Sequence, residues 1–131
     1  MIVKCIKIIS CATGKDLGEK SAWLKVGNQY PVYAIRIEVG KYGHFQVAIE
    51  SESDGEPVFM NIENFEIVSN HIPSTWVIGI NPDRDIGFMP LSWFDHAFWE
   101  GMDEGTDEAM ALFEKEKLLM LKEEGLIPRD S

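Results

Sequence analysis

The sequence predicts an α+β fold in which a small β-barrel or curled antiparallel sheet is followed by C-terminal helices. Short segments rich in β-branched and aromatic residues, separated by Gly, Asn, Asp and Pro, run through residues 1–89. After Pro90 the apolar residues recur at helical spacing to about residue 125. With 131 residues, 45% of them hydrophobic, the chain has the size and composition of one folded domain, residues 1–131.

The extended segments follow one another at the spacing of a small β domain. A polar, glycine-bearing connection at 13–18 is expected early in the chain, and hairpin turns at 40–43, 51–57 and 81–84. Residues 62–64 suit a single 3₁₀ turn. The predicted extended segments are residues 2–9, 23–26, 30–39, 44–50, 58–60, 65–68, 75–80 and 85–89.

Two helices are predicted in the last third of the chain. A short one over 91–101 carries Trp93, Phe94, Phe98 and Trp99 at helical spacing. Thr106 then caps a longer helix, which ends at Gly125 and has acidic residues in its first turn, where the helix dipole favours them.

Residues 20–69 resemble the SH3-like small β-barrels. The resemblance rests on residues 24–30, on residues 58–68 and on their order: a leading loop, a strand, two hairpins, then a 3₁₀ turn feeding a last strand. It implies a small barrel. Tyr30, Tyr33 and Tyr42 are present, but the paired-tyrosine and tryptophan pattern of proline-rich-peptide binders is not, so peptide binding is not inferred.

The charge is strongly negative and unevenly distributed. Residues 1–40 hold six basic and three acidic residues, a balance of +3, whereas the rest hold six basic and nineteen acidic residues, a balance of −13, which together give −10. An acidic surface disfavours direct binding of nucleic acid and attracts a basic protein. The alternative is that the acidity serves solubility alone.

Two segments concentrate the acids. Residues 93–108 combine four large aromatic residues with six acids, a composition suited to an interface with a basic partner. The alternative is that the aromatic residues pack the helix onto the sheet. Residues 50–56 form a second acidic group, for which a solvated turn is the alternative.

No motif predicts catalysis, a metal or a cofactor. His44, His71 and His96 lie outside metal-binding motifs, and His96 with Glu100 supplies only two ligands at helical spacing, so a surface pair is favoured. Nucleophile-elbow, phosphate-loop and dinucleotide patterns are not found. A carboxylate pair such as Glu50 with Asp95 could be imagined in a small hydrolase, but the prediction is that the chain is not an enzyme.

The location predicted from the sequence is the cytoplasm. No export signal or span of about 20 apolar residues is recognised. Cys5 and Cys11 fit free thiols in a reducing compartment, with a Cys5–Cys11 disulfide as the alternative.

In size, acidity and strand-then-helix layout, the chain resembles the immunity proteins of bacterial toxin–immunity systems, including those of contact-dependent growth inhibition. The resemblance implies that the protein blocks the active site of a basic nuclease toxin domain. The alternative is a phage- or plasmid-type accessory domain that binds a host protein or mimics nucleic acid. The residues expected to contact the partner are Glu50, Glu52, Asp54, Glu56, Asp95, Trp99, Glu100, Asp103 and Glu104.

Overall fold

The computed structural model describes residues 1–10, 12–40, 43–82 and 84–128, and this part of the chain forms two antiparallel sheets followed by two helices. A three-stranded sheet has the order β2-β1-β6, and a five-stranded sheet has the order β5-β4-β3-β8-β7. The predicted α+β class is confirmed. The strands are β1 (Ile2–Cys5), β2 (Gln29–Pro31), β3 (Ala34–Ile37), β4 (Phe45–Glu50), β5 (Pro57–Asn61), β6 (Phe65–Ser69), β7 (Trp76–Ile80) and β8 (Ile86–Pro90), and the helices are α1 (His96–Glu104) and α2 (Asp107–Glu123).

The single strand predicted over 30–39 is wrong, because the chain crosses between the two sheets at this point. Val32 N donates to Met1 O, beside the three-stranded sheet, at 2.9 Å. The next residue, Tyr33, donates its N–H to Ala48 O in the five-stranded sheet, also at 2.9 Å. The backbone hydrogen bonds of Val32 and Tyr33 therefore lead to different sheets, so residues 30–39 are not one continuous strand.

Of two other predicted extended segments, the one over residues 2–9 is shorter than predicted and the one over residues 23–26 does not form a strand. β1 ends at Cys5 because the chain then turns to Asn64, which accepts hydrogen bonds from Ile6 N through its backbone oxygen and from Ile9 N through its side chain, each at 2.8 Å. Residues 23–26 form no strand, and only an isolated bridge joins Lys20 to Lys25 nearby. The predicted helix over 91–101 divides into a 3₁₀ turn (Leu91–Phe94) and α1, since Asp95 caps α1.

Other local predictions are confirmed. The 3₁₀ turn lies at Ile62–Asn64, and Thr106 Oγ1 accepts from Ala109 N at 3.3 Å as the N-cap of α2. The element order over residues 20–69 follows the one expected for an SH3-like unit, and the family likeness itself stays a prediction. Residues 41–42 of the predicted hairpin, Asp83, Cys11 of the possible disulfide and residues 129–131 lie outside the described residues. Cys5 is a buried free thiol.

Aromatic packing fixes the helices against the sheet. Trp93 is fully buried and stacks on Phe98 and Phe113, with ring centroids 5.3 and 5.4 Å apart. Phe113 also meets Tyr33 edge-on at 5.6 Å, so α2 is held against the segment that crosses between the sheets. None of the helices in the described ranges has the length and apolar character needed to cross a bilayer.

Candidate functional site

The two helices meet at a tight corner, which we define as residues 95–108 and call the α1–α2 corner. Gly105 ends α1 in the left-handed conformation, with φ of 71°, and Thr106 N donates to Gly101 O at 2.9 Å. Gly101 permits the close contact, because a Cβ there would lie 2.8 Å from both Ala109 Cβ and Thr106 Oγ1. The last turn of α1 and the first turn of α2 are therefore brought side by side.

This geometry gathers acidic side chains into one patch. Residues 85–114 contain eight acidic residues and neither Lys nor Arg. A shallow depression of about 510 Å³ at the α1–α2 corner is lined by four of the acids, Glu100, Glu104, Asp107 and Glu108. All four are exposed, as is Asp103 beside them. Such a patch produces a strong local negative potential that attracts cationic groups.

Two of these acids oppose the stability of the helix that carries them. Asp103 and Glu104 lie in the last turn of α1, where the negative end of the helix dipole disfavours carboxylates, and no basic residue lies in that turn. In the described part of the chain, neither side chain has a hydrogen bond or ion pair. Asp107 and Glu108, in the first turn of α2, are in contrast favoured by the dipole. Folding therefore does not explain Asp103 and Glu104.

A larger cleft adjoins the corner along α1. It has a volume of about 860 Å³ and lies between the five-stranded sheet and the segment from Leu91 to Trp99. The Phe94 ring covers Gly79 and Gly87 on the sheet: a Cβ at Gly79 would lie 2.4 Å from the ring and collide with it, and a Cβ at Gly87 would lie 3.1 Å from it. His96 lines the cleft, and Glu100, whose Oε1 lies 2.9 Å from His96 Nε2, lines the depression, so the two concavities share one wall.

Arg36 places a single positive charge in this cleft. Its guanidinium lies 4.3 Å from the centre of the Phe59 ring and donates to Gln46 Oε1 at 2.7 and 3.1 Å. Glu38 pairs with it at 3.6 Å. The cleft therefore holds the Arg36–Glu38 pair and a further acid, Asp85, among apolar side chains of the sheet and of the segment from Leu91 to Trp99. The larger concentration of acids lies at the α1–α2 corner.

The acids predicted in the β4–β5 turn hold internal contacts. Glu50 accepts from the Tyr33 hydroxyl at 2.7 Å and pairs with Lys117 of α2 at 2.8 Å. Burial, followed by the hydrogen bond to Glu50, raises the pKa of the Tyr33 hydroxyl. Glu52 accepts from the Tyr30 hydroxyl and from Asn28, and these two hydrogen bonds lower the pKa of its carboxyl. Both carboxylates thus join this turn to the rest of the molecule.

The remaining acids of this turn are more accessible. Asp54 is exposed, and hydrogen bonds from the Ser51 hydroxyl and from Glu56 N lower the pKa of its carboxyl. Glu56 is exposed as well. Within this turn, Glu52 N donates to Trp23 O and Ser53 N donates to Ala22 O, each at 3.0 Å. The turn is therefore attached to the loop before β2, a different part of the molecule from the α1–α2 corner.

The aromatic residues of the predicted site divide between packing and exposure. Trp93 and Phe98 are buried, as the packing alternative predicted. Trp99 is half-buried, 5.4 Å from the Phe59 ring, and lines the cleft. Asp95 uses its carboxylate to accept from Ala97 N at 2.9 Å as the cap of α1. Within the described ranges, no third His, Cys, Asp or Glu joins His96 and Glu100 in a possible metal site.

Sequence reasoning missed the residues that shape these concavities. Gly101, Gly79 and Gly87 were not singled out, although a glycine inside a predicted helix or strand signals a close approach. The pairing of Arg36 with Gln46 and Glu38 was not predicted either. Comparison with protein-family models, with curated proteins and with solved structures finds no match.

Proposed function

We propose that the protein binds and neutralises a basic partner protein, and that this partner is a nuclease toxin domain whose active site the α1–α2 corner covers. The observation that carries the proposal is the position of Asp103 and Glu104. They are exposed, unpaired among the described residues and set where the dipole of their own helix disfavours them. A carboxylate that costs stability and serves no internal contact is best explained by a cationic ligand.

The chemistry of a nuclease fits such a surface. Enzymes that act on nucleic acid bind phosphates with Lys and Arg, so their active sites are basic clefts. A projecting patch of carboxylates offers those cations the charge that a phosphate backbone would offer. Glu100, Asp103 and Glu104 supply this charge from α1, and the half-buried Trp99 offers an aromatic edge beside them. The protein then acts in the cytoplasm of the cell that must be protected.

The turn acids form a secondary part of the proposed surface. Asp54 and Glu56 are available to a partner, whereas Glu50 and Glu52 already accept two internal donors each. We therefore expect charge reversal at the α1–α2 corner to weaken binding more than reversal at Asp54 and Glu56.

Protection of growing bacteria tests the proposal. Basic nuclease toxin domains are induced one at a time in a bacterial host that carries this protein, and survival is compared between the native chain and Asp103→Lys with Glu104→Lys. The matched control, Glu19→Lys with Glu63→Lys, makes the same change of net charge at two exposed acids outside the corner. We expect the native chain and the control to protect the cells and the corner variant to fail. Equal protection by all three would refute the role of the corner, and no protection by the native chain would refute the proposed function.

A further inference from the structure

Two carboxylates face each other at one end of the cleft that runs beside α1. Arg36 lies opposite Gly87 in the ladder between β3 and β8. The same register, continued by two residues, places Glu38 opposite Asp85. Side chains two residues apart lie on the same face of a sheet, and both acids line the cleft. Because like charges directly opposite each other destabilise an antiparallel pair, the two carboxylates repel each other in the free protein.

The contacts of these acids within the chain leave negative charge uncompensated. Glu38 pairs with Arg36 at 3.6 Å, whereas Arg36 makes a closer contact of 2.7 Å with Gln46 Oε1. Asp85 accepts from neutral donors, a backbone N–H at 3.1 Å and Asn81 Nδ2 at 3.4 Å, and it forms no ion pair within the described ranges. In a chain whose net charge is −10, this end of the cleft therefore favours a cation and disfavours an anion.

Aromatic rings lie beside the two acids in the same cleft. The Phe94 ring covers the two glycines of the sheet and is 37% exposed, and Trp99 is half-buried. Both residues line the cleft. Carboxylates next to aromatic faces suit a guanidinium group, which stacks on a ring and donates several N–H groups at once. Arg36 already uses a ring in this way, 4.3 Å from the centre of Phe59.

A buried donor without an acceptor also borders the cleft. Trp93 is fully buried and lines the cleft, and its Nε1–H has no acceptor among the described residues. Its ring stacks on Phe98 and Phe113, and the unpaired N–H lies at the ring edge. A buried N–H without an acceptor costs stability. A ligand that carries a carbonyl group as well as a cation would supply that acceptor.

We infer that the cleft binds an arginine residue of the basic partner, an inference that rests on the proposed function. The guanidinium donates to Glu38 and Asp85, the aliphatic stem lies along Phe94, and a main-chain carbonyl accepts from Trp93 Nε1. Arginine fits better than lysine, because its planar fork serves two carboxylates and stacks on a ring at the same time. The cleft shares a wall with the acidic depression, so one basic surface reaches the arginine site and the α1–α2 corner together.

Titration of the full chain with Nα-acetyl-arginine methylamide, followed by NMR, tests the inference without any toxin domain. Because a single residue binds weakly, we expect a dissociation constant of about 1–10 mM at about 0.05 M salt. The largest shift changes should occur at the indole N–H groups of Trp93 and Trp99 and at the amides of Gly79 and Gly87. The citrulline analogue, which has the same shape without the charge, should bind at least about tenfold more weakly. The lysine analogue has the charge without the planar fork and should also bind more weakly.

Variants of the chain separate this cleft from the rest of the acidic surface. Glu38→Gln with Asp85→Asn keeps the neutral hydrogen bonds and should weaken binding of the arginine analogue at least about threefold. Phe94→Leu removes the ring but keeps an apolar cover on the glycines, and it should weaken binding as well. Glu19→Gln with Glu63→Gln removes the same charge at two exposed acids elsewhere and should leave the dissociation constant unchanged.

Several results would overturn the inference. These are equal binding of the arginine and citrulline analogues, native affinity in both cleft variants, and shift changes confined to residues 100–108. A lysine analogue that binds as tightly would overturn the assignment to arginine. Failure here is distinct from failure of the proposed function: a chain that protects cells but does not bind the arginine analogue loses only the arginine site. A chain that binds the analogue but protects against no toxin domain loses the proposed partner and keeps an arginine-binding cleft.

Discussion

Removing the carboxylates at the end of α1 should stabilise the protein. The double variant Asp103→Asn with Glu104→Gln removes two negative charges from the negative end of the helix dipole, and no internal contact is lost. Each such charge costs about 0.3–1 kcal/mol at an exposed helix end, so the free energy of unfolding should rise by roughly 0.6–2 kcal/mol. For a chain of this length that corresponds to an increase in Tm of roughly 2–7 °C.

The matched control lies across the same corner. Asp107→Asn with Glu108→Gln removes the same charge from the same depression but from the favoured end of α2. Both variants relieve repulsion among the acids, so the difference between them isolates the dipole, and it should be roughly 1–4 kcal/mol in favour of the α1 variant. Scanning calorimetry at low and high salt measures both, and the difference should shrink as salt rises. A destabilised Asp103→Asn/Glu104→Gln variant would refute the reasoning, since those acids would then contribute to folding.

Three further predictions concern the contacts that position the site. Gly101→Ala should lower the free energy of unfolding in urea by roughly 1–3 kcal/mol, because the new Cβ collides with Ala109; an unchanged urea midpoint would contradict it. Glu50→Ala should cost roughly 1–3 kcal/mol by leaving the buried Tyr33 hydroxyl without its acceptor, and Tyr33→Phe should cost less; the reverse order would show that this hydrogen bond is not the stabilising contact. Glu52 has a lowered pKa in the folded chain, so its contribution to the free energy of unfolding is present above the ordinary value of 4.5 and is lost as the pH falls. Glu52→Gln should therefore flatten the acid side of the plot of unfolding free energy against pH. An unaltered slope there would exclude Glu52 as a source of this pH dependence.

Local signals explain why much of the fold could be predicted. Thr106 begins α2 as its N-cap through its side chain, and Gly125 follows the end of α2 with a left-handed backbone. Neither signal needs a distant partner. β4 was likewise predicted over residues 44–50 and forms at Phe45–Glu50, with Val47 and Ile49 fully buried. Such features follow from residues within a few positions of one another.

The errors arise where distant segments decide the structure. Residues 30–39 read as one strand by composition, but Val32 and Tyr33 are bonded to different sheets, and no local pattern encodes that division. The acidity of the last third was visible in the sequence. The role of Gly101 in joining two helix ends into one acidic depression was not, because Thr106 and Ala109 become its neighbours only after the chain turns.

The same limit applies to the acidic turn. Glu50 and Glu52 look like free surface charges in the sequence, and their internal donors lie between 17 and 67 residues away. Charge patterning therefore located the candidate surface, and the structure distinguishes acids that hold the fold from those available to a ligand.

The dependence of binding on salt tests the central claim most directly. The dissociation constant for a nuclease toxin domain against which the protein protects cells is measured by titration calorimetry over a range of salt concentrations. The proteins compared are the native chain, Asp103→Asn with Glu104→Gln, and Glu19→Gln with Glu63→Gln. If the α1–α2 corner provides the electrostatic contact, binding of the native chain weakens as salt rises, and the corner variant binds more weakly with a shallower salt dependence. Glu19→Gln with Glu63→Gln should leave the dissociation constant and its salt dependence close to those of the native chain. A corner variant with the affinity and salt dependence of the native chain would contradict the account.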